Sequence, residues 1–445
     1  MIQFRKGFYA DVRIEDRSST EIFYRDGRLQ ELRNPVERQA FLRVYDGKLW
    51  YYASVTDLNH LQATLDGLYA TATENPRILE DPIVQRFEVN RDSSLQFRDY
   101  SVRDVPLQEK QALLKSYLPL FSAEPRVTMV NGFYKDRNSL FHFQSSLGAE
   151  LHYDFQICGI GLSLPMVDGE KQFQGFWTQG DTRFEKLKGL EPMLRESVEE
   201  QLFFLRNSVP AEPGSFPVVL SPDAVGMFAH ESFGHHSEAD HMLSDESIRA
   251  EWKLGKRVGS PLLSIVDYGG IPGNGYVPYD DEGTRARKNY LIQNGVLTGR
   301  LHNAQTAAVF GEALTGNARA LDCSFEPIVR MTSTYVEGGD LDFEELIAPI
   351  QKGYYIKSVK HGTGMSTFTM APNLAYEIID GKLGRPVQIS VLTGSVFETL
   401  GLVDGVGRDV EIRISVTSQC GKMEQQGLPV ACGGPSIRVS SMNIL

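Results

Sequence analysis

Four of the nine histidines, His230, His235, His236 and His241, fall within twelve residues, with Glu231, Glu238 and Asp240 among them. Imidazoles and carboxylates at this density supply the ligands and general bases of a metal site. A zinc-peptidase helix of the H-E-x-x-H type carries its histidines at i and i+4, on one face. Here the pattern is H-E-x-x-x-H, with His230 and His235 at i and i+5. On a regular helix, at about 100° per residue, their side chains diverge by roughly 140°. They share an ion only where the helix is bulged or ends. A π-type turn closes i→i+5 bonds and realigns them; Gly234 is the place for such a distortion, and His236 at i+6 is the fallback ligand. A lone histidine at a helix end reads as a packed or solvated side chain. A cluster of four, with a glutamate next to the first, reads as a metal site.

A catalytic zinc takes three protein ligands and keeps one position for water, so two histidines are not enough. Glu238 and Asp240 are local candidates for the third. Cys420, in Ser418-Gln-Cys-Gly-Lys422, and Cys432, in Ala431-Cys-Gly-Gly434, are distant ones. A thiolate is a good zinc ligand, and glycine-flanked turns let it reach another element. Cys158, within Phe155-Gln-Ile-Cys-Gly-Ile-Gly-Leu, and Cys323 read as core residues. Four cysteines in 445 residues are too few for a disulfide framework. The thiols are expected to be reduced, and the location cytoplasmic.

The elements that must position these groups can be read around them. Ser221 as N-cap and Pro222 at the first helical position start a helix carrying His230 and Glu231 about two turns in. Before it, residues 207–217 are rich in Pro, Ser and Gly and form the best linker candidate. The first hundred residues read as strands and one helix. Asp26-Gly27 and Asp46-Gly47 mark hairpins, and Leu58, Leu61, Leu65 and Leu68 fall on a helical period. Residues 107–118 read as a short helix. Residues 128–175 read as β-rich runs separated at Asn131-Gly132, Gly148 and Asp168-Gly169, and 186–206 as a long helix interrupted by Pro192. After 217 the chain is mostly strands and turns, with hairpin dipeptides at Asn294-Gly295, Asp380-Gly381 and Asp404-Gly405. The expected fold class is α+β with large antiparallel sheets and a metal motif on a C-terminal-domain helix. Expected domains are 1–104 (N-terminal α/β), 105–210 (central, β-rich, ending in a long helix) and 211–445 (C-terminal, carrying the metal motif).

Composition bounds the partners. With 45 Lys+Arg against 57 Asp+Glu the net charge is −12, which argues against direct nucleic-acid binding through a broad basic surface. A hydrophobic content of 41% is ordinary for a globular chain and excludes extensive disorder. No apolar run approaches the roughly 20 residues of a membrane helix, and the opening residues lack a signal-peptide core. No membrane partner is expected.

Longer segments carry a resemblance. Asp280-Asp-Glu-Gly-Thr284, Leu291-Ile-Gln-Asn-Gly-Val-Leu297, Leu314-Thr-Gly-Asn-Ala-Arg319, Pro327-Ile-Val-Arg-Met-Thr332, Gly353-Tyr-Tyr355, Tyr376-Glu-Ile-Ile-Asp-Gly-Lys382 and Cys420-Gly-Lys422 follow one another in order. With the histidine motif, they resemble the TldD/PmbA family of metalloproteases, in its TldD-like, metal-bearing branch. The resemblance is dense over 217–445 and weaker over 10–53 and 128–180. It implies a zinc-dependent peptidase acting on unfolded or unstructured peptides, in proteolysis, peptide maturation or antitoxin turnover. By motif position it makes His230, His235 and Cys420 the metal ligands and Glu231 the catalytic carboxylate. It also implies barrel-like sheets and a dimer, either of identical chains or with a sister subunit lacking the metal residues. Where the family pattern has an aliphatic residue, this chain has Cys432.

On that reading zinc lowers the pKa of a water toward about 7, and Glu231 takes its proton as general base. A thiolate ligand donates more charge than a third imidazole, so a less acidic water and slow turnover are expected. An extended peptide binding as an added strand would explain selection for unfolded chain. The Asp280-Asp281-Glu282 run reads equally as a solvated acidic turn or as a turn bordering the site, and Arg330 and Tyr335 are groove candidates. Two other functions remain open: a catalytically silent partner subunit that binds peptides without cleaving them, and a cysteine hydrolase using Cys420 with a histidine base.

Overall fold

Alternating polar and apolar residues near the amino terminus form one long strand, Tyr9–Arg25, in the computed structural model, which describes residues 2–243, 245–364 and 367–445. It pairs antiparallel with Val36–Tyr45 on one side and with Asn131–Ser145 on the other. The latter continues through Glu150–Asp168 to Lys171–Asp181, giving an eight-stranded sheet. This one sheet runs across the 104/105 boundary expected from the sequence. Asp26 and Gly27 take positive φ of 45° and 73°, as a tight hairpin requires. Helix Leu61–Thr71 buries Leu65 and Tyr69 against Val12 and Leu42 on one stretch of the sheet. Helices Leu107–Tyr117 and Glu191–Asn207 cover another, packing Leu114 and Leu194 on Leu162 and Leu164. Pro192 does not interrupt a helix there; it sits in the first turn, where its missing N–H has no intrahelical partner to lose.

The carboxy-terminal half holds a closed five-stranded barrel. Its order is Lys352–Gly364, Gly214–Leu220, Ile437–Ile444, Leu392–Ser395 and Thr367–Ile379, which pairs back onto the first. Val218, Leu220, Ile356, Phe368, Leu392 and Val439 belong to its continuous apolar core. Beside it stands a six-stranded sheet that includes Ile265–Tyr268, Ser333–Val336 and Ala431–Gly434. The fold is therefore α+β, with a barrel and large, mainly antiparallel sheets. Asn294-Gly295 and Asp380-Gly381 turn with positive φ at all four residues, whereas Asp404-Gly405 lies inside the strand Val403–Val406. Asn131-Gly132 likewise opens a strand rather than making a turn. The expected linker is tied down: Val209–Pro210 pairs with Val387 and Gln388, and Gly214–Leu220 is a barrel strand.

The acidic run joins the two halves. Asp280 accepts backbone N–H bonds from Glu282, Thr284 and Ala318, Asp281 meets Arg13 at 2.9 Å, and Glu282 meets Arg43 at 3.2 Å. Arg43 also grips Asp11 at 2.7 Å. The run is a buried joint, not a solvated turn. Two carboxylates in a low-dielectric seam need cations opposite them, and the long strand's sheet supplies both. Among the described residues, no helix is long and apolar enough to cross a membrane.

Candidate metal centre

Ser221 caps the helix Pro222–Ala229 by accepting the Ala224 N–H at 3.3 Å, and Pro222 occupies its first turn. The helix lies on the strand Ala431–Gly434; a Cβ on Gly226 would stand 2.7 Å from the Gly433 nitrogen. Past Ala229 the backbone widens into a π turn, His230–Gly234, and the His235 N–H bonds the His230 carbonyl. The i→i+5 bond removes the divergence that a regular helix would impose. The two rings stand with centroids 5.1 Å apart, at 77°. Gly234 has an ordinary helical φ, so its role is space: a Cβ there would collide with the Met331 sulfur.

Cys420 arrives on the strand Gln419–Lys422, hairpinned with Gln425–Pro429. The buried Arg330 fastens that hairpin by donating to the Cys420 carbonyl at 2.8 Å and the Gln425 carbonyl at 3.3 Å. It is a brace rather than a groove residue. Tyr335 is likewise taken up within the six-stranded sheet, between Val266 and Gly433. One donor atom from each of His230, His235 and Cys420 lies within 4.8 Å of the others, and His235 Nε2 is 3.4 Å from Cys420 Sγ. Burial would raise the Cys420 pKa, but hydrogen bonds and charge from both imidazoles bring it down to about 5. The thiolate, the form that binds metal, is thus favoured. His230 Nδ1 is buried with no hydrogen-bond partner among the described residues. Two imidazoles and a thiolate converging in this way, one of them with an orphan ring nitrogen, fit a zinc-type ion.

Behind the three donors is a buried carboxylate. Glu238 Oε2 lies 3.2 Å from His235 Nδ1, 3.4 Å from His241 Nε2 and 3.1 Å from Lys422 Nζ. Lys422 is also bonded to Asp240 at 2.7 Å and to the Val329 carbonyl at 2.9 Å. Burial alone would raise the Glu238 pKa. The Lys422 charge, with the His235 and His241 hydrogen bonds, holds it well below the usual carboxylate range. An ionised Glu238 on Nδ1 leaves Nε2 of His235 to face Cys420, the arrangement that orients a metal-binding imidazole. Glu238 and Asp240, weighed from sequence as direct ligands, are engaged in this support.

The fallback ligands point elsewhere. His236 Nδ1 lies 3.1 Å from the Ser232 carbonyl, and its ring stacks on Trp252 at 5.6 Å. Cys432 sits on the strand Ala431–Gly434 opposite Thr334, and its thiol is pushed up to about 12, by burial first and then by Asp223 and Glu231. Glu231, part-buried beside His230, has a raised pKa from desolvation, opposed by the two imidazoles and reinforced by Cys420. The strand Lys352–Gly364 passes close by: a Cβ on Gly364 would lie 2.8 Å from the Glu231 carbonyl oxygen. Sequence reading passed over Gly362 and Gly364, although glycines within a strand mark such approaches.

A cleft of about 520 Å³ opens between the two halves, lined by Phe176, Thr178, Asp223, Met227, Arg413 and Cys432. Met227 is one helical turn before Glu231. The neighbouring strand Lys171–Asp181 does not offer a free edge here. Gln201 bonds both the N–H and the carbonyl of Phe176, at 2.9 and 3.2 Å, and Arg413 donates to the Thr178 carbonyl at 3.0 Å.

Residues 213–445 match the PmbA/TldA metallopeptidase C-terminal domain, and residues 10–75 match PmbA/TldA metallopeptidase domain 1. A metalloprotease of Methanothermobacter thermautotrophicus is 33% identical over 97% of this chain and 94% of its own. A zinc metalloprotease TldD homolog of Saccharolobus solfataricus is 32% identical, over 54% of this chain and 53% of its own. In fold, the chain superposes on TldE of Thermococcus kodakarensis with a TM-score of 0.75 at 16% identity, covering 98% of this chain and 96% of that one.

Proposed function

The chain belongs to the PmbA/TldA metallopeptidase family, and on that premise we propose that it is a zinc-dependent peptidase hydrolysing unfolded or unstructured peptides. Its work would be proteolysis, peptide maturation or antitoxin turnover. It would act in the cytoplasm, as a homodimer or with a sister subunit of the family. The observation that carries this reading is the meeting of His230, His235 and Cys420 at a π turn that also presents Glu231. Those three residues would hold the ion, and the nitrogen–sulfur set suits zinc, the metal named for the Saccharolobus relative. When bound, zinc supplies Lewis acidity to the scissile carbonyl and to the attacking water.

The protein's own groups do the rest. Glu231 accepts a proton from the attacking water and delivers it to the amine as the C–N bond breaks, so that water and peptide yield a carboxylate and an amine. Glu238 holds the His235 ring so that Nδ1 is turned to its carboxylate and Nε2 faces Cys420. The cleft between the halves, with Met227 on its wall one turn before Glu231, would admit extended chain and not a folded domain. Since the edge at Phe176 and Thr178 is already bonded, selection for unfolded chain would rest on the shape of this cleft, with no added strand at those residues.

The test compares wild type with Glu231→Gln on an unfolded peptide, with elemental analysis of both. At least one zinc per chain in each, with cleavage lost only in the variant, supports the reading. Cleavage by Glu231→Gln at the wild-type rate overturns it, and a metal-free, inactive wild type would identify a silent partner subunit. The low Cys420 pKa and the 3.4 Å contact to His235 also fit a cysteine hydrolase. Cleavage that survives chelation but is abolished by a thiol reagent would decide for that second reading.

A further inference from the structure

We infer that the outer face of the eight-stranded sheet carries a second, separate site for a divalent transition ion, formed by His142, Glu150 and His152. Strands Asn131–Ser145 and Glu150–Asp168 set His142 directly opposite His152, and their rings stack at 4.2 Å. Glu150 precedes His152 by two residues, so the pleat brings it to the same face. His142 Nε2 lies 2.6 Å and His152 Nε2 3.5 Å from the same oxygen, Glu150 Oε1. One donor atom from each residue falls within 4.8 Å of the other two.

Two imidazole nitrogens aimed at one carboxylate oxygen satisfy it with protons only if both rings present N–H there. In the other tautomer the same two nitrogens present lone pairs instead. A single cation at the meeting point uses both lone pairs and the carboxylate together. Gln144, opposite Glu150, donates to Glu150 Oε2 at 2.7 Å and so fixes the third donor from behind. Both histidines line an open groove of about 410 Å³, which gives an ion its path in. Two imidazoles and one carboxylate select zinc, copper, nickel or cobalt over magnesium or calcium. With three protein donors the site keeps a position open to water or to a donor from another chain.

The experiment is equilibrium dialysis of the full chain against Zn2+ with elemental analysis. Wild type should bind two ions and a His142→Ala/His152→Ala variant one. A His230→Ala/Cys420→Ser variant, with the other centre disabled, should retain one. Removing ligands outright should weaken that remaining site at least as much as the roughly 10–100-fold lost when a supporting residue is removed. Zn2+ should also raise the thermal midpoint of the His230→Ala/Cys420→Ser chain, and the rise should vanish when His152→Ala is added. Equal zinc binding by wild type and the His142→Ala/His152→Ala variant would overturn the proposal, as would no zinc bound by the chain lacking His230 and Cys420. The readout is ion binding, so it stands whether or not the peptidase reading holds.

Discussion

Glu238 is fully enclosed, yet Lys422, His235 and His241 surround it with enough positive charge and hydrogen bonding to keep it ionised. Its neighbour His235 then has one ring nitrogen committed and the other directed at Cys420 Sγ. Replacing the carboxylate by an amide keeps the shape and removes the charge. Glu238→Gln should therefore weaken zinc binding by about 10–100-fold, while Cys420→Ser, which deletes a donor outright, should weaken it further. Competition with a chelator of known affinity measures both. Equal affinity in wild type and Glu238→Gln would show that the carboxylate serves packing alone.

At the scale of an element, the π turn His230–Gly234 carries the geometry of the site. It is held from outside by the close approach of Met331 to Gly234. Gly234→Ala should cost about 1–3 kcal/mol by overpacking, seen as a lower urea midpoint at unchanged slope. Zinc content should fall with it, because the turn must shift to make room. Adding Met331→Ala should recover part of both losses, since the two changes act on one contact. Additive losses would place the strain elsewhere. The helix itself has a local origin in Ser221 and Pro222, and its seat against Gly433 depends on the missing Cβ of Gly226.

For the whole molecule, the joint between the halves rests on buried charge. Arg43→Ala would leave Asp11 and Glu282 facing each other without their shared cation, at a cost of about 3–5 kcal/mol. A urea-unfolding series checks this, and a loss under 1 kcal/mol would mean that water or another cation takes its place. Acid should loosen the same sheet. Burial pushes the Glu15 pKa up, but Arg137, Arg17 and the Ser139 hydroxyl outweigh it, so the folded value is depressed. A depressed carboxylate stabilises above its unfolded pKa of about 4.3, and that stability drains as pH falls below it through the folded value. The stability gap between wild type and Glu15→Gln should therefore be constant near neutrality and shrink below about pH 4.3.

What the residues determined alone is local. Strand alternation, the Asp26-Gly27, Asn294-Gly295 and Asp380-Gly381 turns, and the Ser221-Pro222 helix start each depend on a few neighbouring residues. For His230 and His235 to share an ion, their five-residue spacing required the helix to bulge or to end between them, because 3.6 residues per turn would set them roughly 140° apart. Family resemblance, not spacing, singled out Cys420 from Cys432, and only the folded chain places Cys420 Sγ by His235, 185 positions away in sequence. The same holds for Arg13 and Arg43 opposite the acidic run, and for His142 opposite His152. Which side chains meet across strands is set by register and by how two apolar cores close on each other, and neither is fixed within a window of residues.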